Sequence, residues 1–180
     1  MLYARKISED GWFYKDDDLD ADSISELNVK GHGLSVWKVP DASNNVDVDK
    51  IGLALAMTNH KVEEFYMVLI DPAKIASDYK WAIAFIPQPG ATRFSIMKDE
   101  HTNFEVKSMW ELGFLSEHIH KLIQDEKNYR YYNVSDLKKM AYDAAKNGYL
   151  TKKDVDECKW KTAIKEMEKM YGELTKFWNN

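Results

Sequence analysis

The chain is poor in cysteine, in arginine and in long apolar runs. Its 180 residues contain a single cysteine, Cys158, which excludes an intramolecular disulfide. The longest apolar stretches, 51–57 and 65–70, fall far short of the ~20 residues that a membrane-spanning helix needs. No basic start followed by an apolar run marks a secretory signal. The sequence therefore predicts a cytoplasmic protein that does not enter a membrane.

Clustered basic residues, the usual mark of a nucleic-acid-binding protein, are also scarce. The net charge is −5, and only Arg5, Arg93 and Arg130 carry guanidinium groups. Residues 135–180 hold ten lysines and eight acidic residues, so residues 1–134 carry the excess of negative charge. This acidic body predicts no direct binding of nucleic acid. It suits solubility or the binding of a basic protein.

The hydrophobic content of 44% is enough for one real core, and alternating patterns place strands and helices along it. The strands predicted from these patterns are 2–7, 34–39, 64–70, 81–86, and a hairpin of 92–97 with 103–107. Helices are predicted near 23–27, 45–58, 72–79 and 109–123. The pattern indicates an α+β fold, with a mixed sheet of five or six strands in the N-terminal 110 residues and a helical C-terminal portion.

The C-terminal portion is predicted as a helical hairpin. Residues 1–134 form an acidic α+β domain in this interpretation, and 135–180 pack on the same domain after a linker at 128–134. A heptad-like seam runs along the last helix through Trp160, Ile164, Met167, Tyr171, Leu174 and Trp178. This seam is short for a coiled coil, so we expect it to dock on the body of the chain. A homodimer through the C-terminal helix is the alternative.

Residues 143–154 resemble a calcium-binding EF-hand loop, with Asp143, Asn147 and Gly148 at loop positions 1, 5 and 6. Ala145 offers no ligand at position 3, and Asp154 is shorter than the glutamate that position 12 requires. The same residues, Asn-Gly followed by Thr-x-x-Asp, are also typical of the end of one helix followed directly by the start of the next. Glycine-rich phosphate loops, paired cysteines and metal-binding histidine motifs are lacking. The sequence predicts neither a metal nor a cofactor.

An aromatic and acidic segment is the first candidate binding site. Trp12, Phe13 and Tyr14 precede an acidic run, and this setting favours their exposure as a contact patch. The acidic members of the patch are Asp16, Asp17 and Asp18. Together with the missing catalytic motifs, this patch favours a small acidic protein-interaction or regulatory protein, of the immunity, antitoxin or phage-defence type. A protein partner follows from this interpretation.

The second hypothesis is an enzyme whose active site is assembled from scattered residues. Arg5 lies in the first strand, His32 lies between two glycines, and Ser35 lies near the start of the next strand. Strands alternating with short helices, an arginine in the first strand and small polar residues at the start of the next resemble the architecture of ADP-ribosyl-transfer domains. The resemblance implies a nucleotide substrate such as NAD. A pocket containing Arg5 and His32 would favour the enzyme, and a flat aromatic and acidic face would favour the binding protein.

Overall fold

A computed structural model describes residues 1–8, 10–14, 19–155 and 159–179 of the chain. Its strands are β1 (Leu2–Ile7), β2 (Gly33–Val39), β3 (Phe65–Ile70), β4 (Phe85–Pro87), β5 (His101–Glu105) and β6 (Tyr129–Tyr132). Its α-helices are α1 (Ala21–Glu26), α2 (Asn45–Ala56), α3 (Pro72–Tyr79), α4 (Met109–Ile123), α5 (Val134–Lys146), α6 (Lys152–Val155), α7 (Lys159–Tyr171) and α8 (Thr175–Trp178). Short 3-10 helices cover Asp10–Phe13, Ser95–Glu100 and Glu126–Asn128.

The six strands form one sheet in the order β4-β5-β2-β1-β3-β6. The α+β prediction is confirmed, but each neighbouring pair is antiparallel, so the sheet is not mixed as expected. The helical connection from β2 to β3 carries the chain past β1 to its far side, where β3 runs antiparallel to β1. The sixth strand also lies beyond the N-terminal 110 residues.

Helices cover both faces of the sheet, because strand residues alternate between two cores. One face presents Ala4, Trp37 and Met67 to the buried sides of α2, α5 and α7. The other presents Ile7, Leu34 and Val68 to α3 and α4. Burial of each large side chain contributes roughly 1.5–3 kcal/mol. The core beneath α2, α5 and α7, the first core, contains residues from both predicted portions, 1–134 and 135–180.

Three segments differ from the sequence-based expectation. Residues 92–97 form no hairpin strand, because Phe94 and Met97 are buried three positions apart while Ile96 is exposed, and most of the segment enters a 3-10 helix. Of 81–86, only the last two residues belong to a strand, and β4 is a short exposed edge strand that ends at Pro87. Proline lacks a backbone N–H donor and is therefore confined to such edges. The expected linker at 128–134 contains β6, the opposite edge of the sheet.

The seam of the last helix faces the body of its own chain. Trp160, Ile164, Met167 and Leu174 are buried in the first core, and the Trp160 indole N–H donates to the Asn59 carbonyl at 3.2 Å. Tyr171 is half exposed, because α7 ends there and Gly172 turns the chain with a φ of 102°.

Candidate functional site

A cavity of about 410 Å³ opens where the two central strands separate. The pairing of β1 with β2 ends at Ala4 and Trp37, after which β1 continues beside β3 as far as Ile7. The floor of the cavity comes from the sheet and its walls from α2 and the loop after β4. Its lining includes Arg5, Lys6, Ser35, Gln88, His101 and Asn103.

Ser35 and His101 meet at the floor of this cavity. They lie on the neighbouring strands β2 and β5, two residue pairs apart and on the same face of the sheet: Ser35 pairs with Asn103, and His101 pairs with Trp37. The Ser35 Oγ lies 2.7 Å from His101 Nε2. The His101 ring also packs edge to face on Trp37, with ring centroids 5.0 Å apart. A serine and a histidine are thus held in hydrogen-bond contact inside a concave site.

The second ring nitrogen of His101 fixes the direction of that hydrogen bond. His101 Nδ1 lies 2.7 Å from the Gln88 backbone carbonyl oxygen, which can only accept. Nδ1 therefore carries the proton, Nε2 has a lone pair, and the Ser35 hydroxyl donates to it. Burial lowers the pKa of His101, the Gln88 hydrogen bond raises it, and the nearby Arg5 charge lowers it, for a net decrease. The imidazole is therefore neutral at pH 7 and able to accept a proton.

The loop after β4 is held against the sheet by close packing. The Gln88 side-chain oxygen accepts from Asn103 Nδ2 at 2.7 Å, so Gln88 contacts two adjacent floor residues through its backbone and its side chain. Gly90 lies so close to Trp37 that an added Cβ would be 2.2 Å from the ring atom Cη2. Glycine at this position lets the loop approach the sheet closely enough for the Gln88 carbonyl to reach His101.

Arg5 holds the separated strands together from the opposite face of the sheet. Its Nη1 donates to the Ser35 carbonyl at 3.1 Å, and its Nη2 donates to the carbonyls of Glu26 and Leu27 at 3.2 and 3.1 Å. Because these two nitrogens are engaged by backbone oxygens, Arg5 positions Ser35. The sequence named both residues as candidates, and the structure brings them together.

Lys6 supplies a second cation to the cavity. It projects from β1 onto the same face as Ser35, and its Nζ lies 5.2 Å from the centroid of the Phe65 ring. Burial lowers the pKa of Lys6, whereas nearby Glu63 and Glu26 raise it, with a net decrease. The lining therefore has two cations from β1, the nearby Glu26 carboxylate, and polar side chains on the side of β5.

His32, the third residue of the enzyme hypothesis, lies outside the described lining of this cavity. It is exposed in a turn with a φ of 64°, and its carbonyl accepts from the Val106 N–H at 2.7 Å. The sequence missed His101 because it placed this residue in the loop of a hairpin that does not form. The alternation of polar residues at 101 and 103 indicates a strand with both side chains on one face. It does not predict the contact with Ser35, because that contact depends on the register between β2 and β5.

The aromatic patch is only partly exposed. Trp12 is fully buried, and its indole N–H donates to Glu26 Oε2 at 2.8 Å, so the expected exposure of this residue is wrong. An indole buries a large apolar area once its N–H has an acceptor. Phe13 is partly buried and packs on Tyr66 with ring centroids 4.3 Å apart, while Tyr14 is exposed. Asp16, Asp17 and Asp18 lie outside the described residues.

The EF-hand-like segment uses its acidic groups within the fold. Asp143 pairs with Lys139, and Asp154 Oδ2 accepts from the backbone N–H and the hydroxyl of Thr151 at 2.8 and 2.7 Å. Among the described residues, no cluster of three histidine, cysteine or acidic side chains is placed to hold a metal ion. In the same part of the chain, no helix is both long and apolar enough to cross a bilayer.

Comparisons with known protein families, with curated proteins and with solved structures gave no match. A hydroxyl nucleophile, a neutral base in contact with it, a group that orients the base and a nearby cation lie in one cavity. This combination suits nucleophilic catalysis on a small substrate.

Proposed function

We propose that the protein is an enzyme with a dispersed active site, in which Ser35 is the nucleophile and His101 the general base. One observation carries the proposal: the 2.7 Å contact of Ser35 Oγ with His101 Nε2, combined with the Gln88 carbonyl that holds the proton on Nδ1. A nucleophile within reach of a base that is itself oriented by a third group is the general pattern of activated serine.

The reaction that this geometry supports is acyl transfer or hydrolysis. Ser35 Oγ forms a bond to the carbonyl carbon of an ester or amide while its proton passes to His101 Nε2. The bond to the leaving group then breaks, and His101 returns the proton to that group. Water cleaves the acyl-enzyme by the same route, which restores the serine. The Lys6 ammonium, on the same face of the sheet, offsets negative charge on the carbonyl oxygen.

The cavity is suited to a small substrate. Its volume of about 410 Å³ lies in the range of small-molecule sites, roughly 300–1,000 Å³. The Lys6 cation favours a substrate with a negative group, and the nucleotide implied by the resemblance to ADP-ribosyl-transfer domains carries such a group. A nucleotide substrate stays a prediction.

A fluorophosphonate probe, which reacts with activated serines, tests the proposal. We expect one adduct on Ser35, located by peptide mass spectrometry, and no adduct in Ser35→Ala. His101→Gln should slow labelling by about 10²–10⁴-fold, the usual contribution of a general base. Ser43→Ala is the matched control, because Ser43 Oγ donates to Asp41 and has an acceptor other than a histidine.

Each variant is first checked for a native melting curve. Labelling that spares Ser35, or that proceeds at the wild-type rate in folded His101→Gln, would show that the pair is only a structural hydrogen bond. Loss of labelling in Ser43→Ala would also contradict the assignment.

Protein interaction remains the second candidate, and an aromatic cluster at the β6 edge supports it. Phe13, Tyr66, Tyr129 and Tyr131 form consecutive ring contacts with centroids 4.3–5.9 Å apart. Tyr131 is exposed on the edge strand β6. Tyr14, which follows Phe13 in the chain, is also exposed. Exposed aromatic residues supply much of the contact energy of protein interfaces.

A cellular phenotype assay separates the two functions. Ser35→Ala tests the enzyme, and the double variant Tyr14→Ala with Tyr131→Ala tests the aromatic cluster, each after a check of native melting. We expect the phenotype to be lost with Ser35→Ala and retained with the tyrosine variant. The opposite result would favour the interaction function and reject the enzyme.

A further inference from the structure

The C-terminal end of the molecule carries two adjoining surface grooves lined by lysine. The groove beside α7 and α8 is bordered by Lys152, Lys161, Lys165 and Lys169. The groove beside the α5–α6 loop is bordered by Lys146, Lys152, Lys153 and Lys176. Lys152 belongs to both, so seven lysines line the two grooves. We call these two grooves together the lysine surface.

Acidic groups are few on the lysine surface. Of the described residues that line it, Glu168 and Glu173 are acidic, against seven lysines. Glu168 Oε1 accepts from the Leu174 N–H at 2.7 Å and from Trp178 Nε1 at 2.6 Å, so this carboxylate serves the turn between α7 and α8. The described lining has a surplus of five positive charges in a chain whose net charge is −5. Positive charge is therefore concentrated along the described lining of these two grooves.

Aromatic side chains lie among these lysines. Trp178 borders the first groove and Phe177 the second, and their ring centroids are 4.7 Å apart in an edge-to-face contact. Both side chains are partly exposed, and Lys165 Nζ lies 5.8 Å from the Trp178 ring. Proteins that bind single-stranded nucleic acid without sequence preference combine two features. Cationic grooves follow the phosphates, and the bases stack on aromatic rings.

The composition of the lysine surface differs from that of a protein interface. Interface cores are enriched in arginine, methionine and aromatic residues and depleted in lysine. All seven cations here are lysines, which are point charges suited to a flexible phosphate backbone. We propose that the lysine surface binds a single strand of nucleic acid through its phosphates, with stacking on Phe177 or Trp178.

This proposal departs from the expectation of no nucleic-acid partner. That expectation rested on the acidic body and on the near balance of ten lysines and eight acidic residues in 135–180, which does not show that the fold gathers lysines onto one surface. The rest of the chain is acidic and repels phosphate, so contact is confined to the lysine surface. We therefore expect a short binding site, and an affinity that is appreciable only at low salt. The proposal is independent of the chemistry at Ser35.

Fluorescence anisotropy with a labelled single strand of about twelve thymidines tests the proposal, alongside a labelled polyglutamate peptide of equal charge. The triple variant Lys153→Glu, Lys169→Glu, Lys176→Glu should bind the strand at least about tenfold more weakly than wild type. The matched control Lys74→Glu, Lys98→Glu, Lys127→Glu changes the net charge equally at exposed positions on other elements and should change binding by less than about threefold. The logarithm of wild-type affinity should fall linearly with the logarithm of salt concentration.

Three outcomes would overturn the proposal. The first is no binding of the thymidine strand by wild type at low salt. The second is equal weakening by both triple variants with native melting curves, which would show a response to net charge alone. The third is tighter binding of polyglutamate than of the strand, which would assign the lysine surface to an acidic protein.

Discussion

At the scale of single residues, Arg5 connects the separated strands beneath the cavity. Its three hydrogen bonds reach carbonyl oxygens of Ser35, Glu26 and Leu27, which belong to β2 and to the end of α1. A lysine has one nitrogen and cannot reproduce this fork. The position of Ser35 therefore depends on a guanidinium group.

We expect Arg5→Lys to lower the free energy of unfolding by about 2 kcal/mol, since hydrogen bonds from a charged group contribute roughly 1.5–3 kcal/mol. Urea denaturation measures the change. Arg93→Lys is the control, because within the described part of the chain the Arg93 guanidinium contacts the ring of His60 and no backbone carbonyl. Equal losses in the two variants would contradict the positioning role of Arg5.

His118 gives the fold a pH dependence that the sequence did not suggest. It is buried on α4, and its Nε2 has no hydrogen-bond partner among the described residues. Burial lowers the pKa of His118, nearby Asp78 raises it and Lys74 lowers it, with a net decrease. Burial also lowers the pKa of His101. The folded protein therefore holds both rings neutral.

We expect the free energy of unfolding to fall as pH falls from 7 through about 6.5, the ordinary histidine pKa. Below that pH these two histidines bind protons in the unfolded chain but stay neutral in the folded chain. The free energy of unfolding therefore decreases. Urea denaturation at pH 7.0 and 5.5 measures the difference, and the double variant His118→Gln, His101→Gln should show a smaller one. An unchanged difference in the folded double variant would refute this account.

At the scale of elements, helix boundaries followed local chemistry and were largely predictable. Asp71 followed by Pro72 marks the start of α3, and the Asp71 side chain accepts from the Ala73 N–H at 3.0 Å. In the same way, the Asn133 side chain caps the start of α5 by accepting from the Asp136 N–H at 2.9 Å. The sequence did not predict the edge strand β6, because it pairs with β3 across more than fifty residues, and local alternation does not report such pairing.

The last long helix offers a paired test of its packing. Met167 on α7 is 7% exposed in the first core, whereas Met170, three residues later, is 68% exposed. We expect Met167→Ala to lower the free energy of unfolding by about 2–5 kcal/mol, because it leaves a cavity, and Met170→Ala by less than about 0.5 kcal/mol. Thermal and urea denaturation measure both. Similar small effects would show that α7 does not dock on the body of the chain.

At the scale of the whole molecule, the fold class followed from composition and pattern, while the site depended on long-range register. Ser35 and Arg5 were named from the sequence, but their partner His101 lies on a strand that pairs with β2 across more than sixty residues. The lysines show the same difference: the sequence places ten of them in 135–180, but only the fold brings seven of them together around two grooves. Both features depend on which distant segments the fold brings together.

The pH dependence of fluorophosphonate labelling at Ser35 shows whether His101 activates this serine. Attack requires neutral His101, and burial lowers the pKa of this residue, so the labelling rate constant should stay high at pH 6.5 and decline only at lower pH. His101→Gln should remove this decline together with most of the rate. A wild-type rate that is negligible at pH 7 and rises only at strongly alkaline pH would show an ordinary serine hydroxyl and contradict the account.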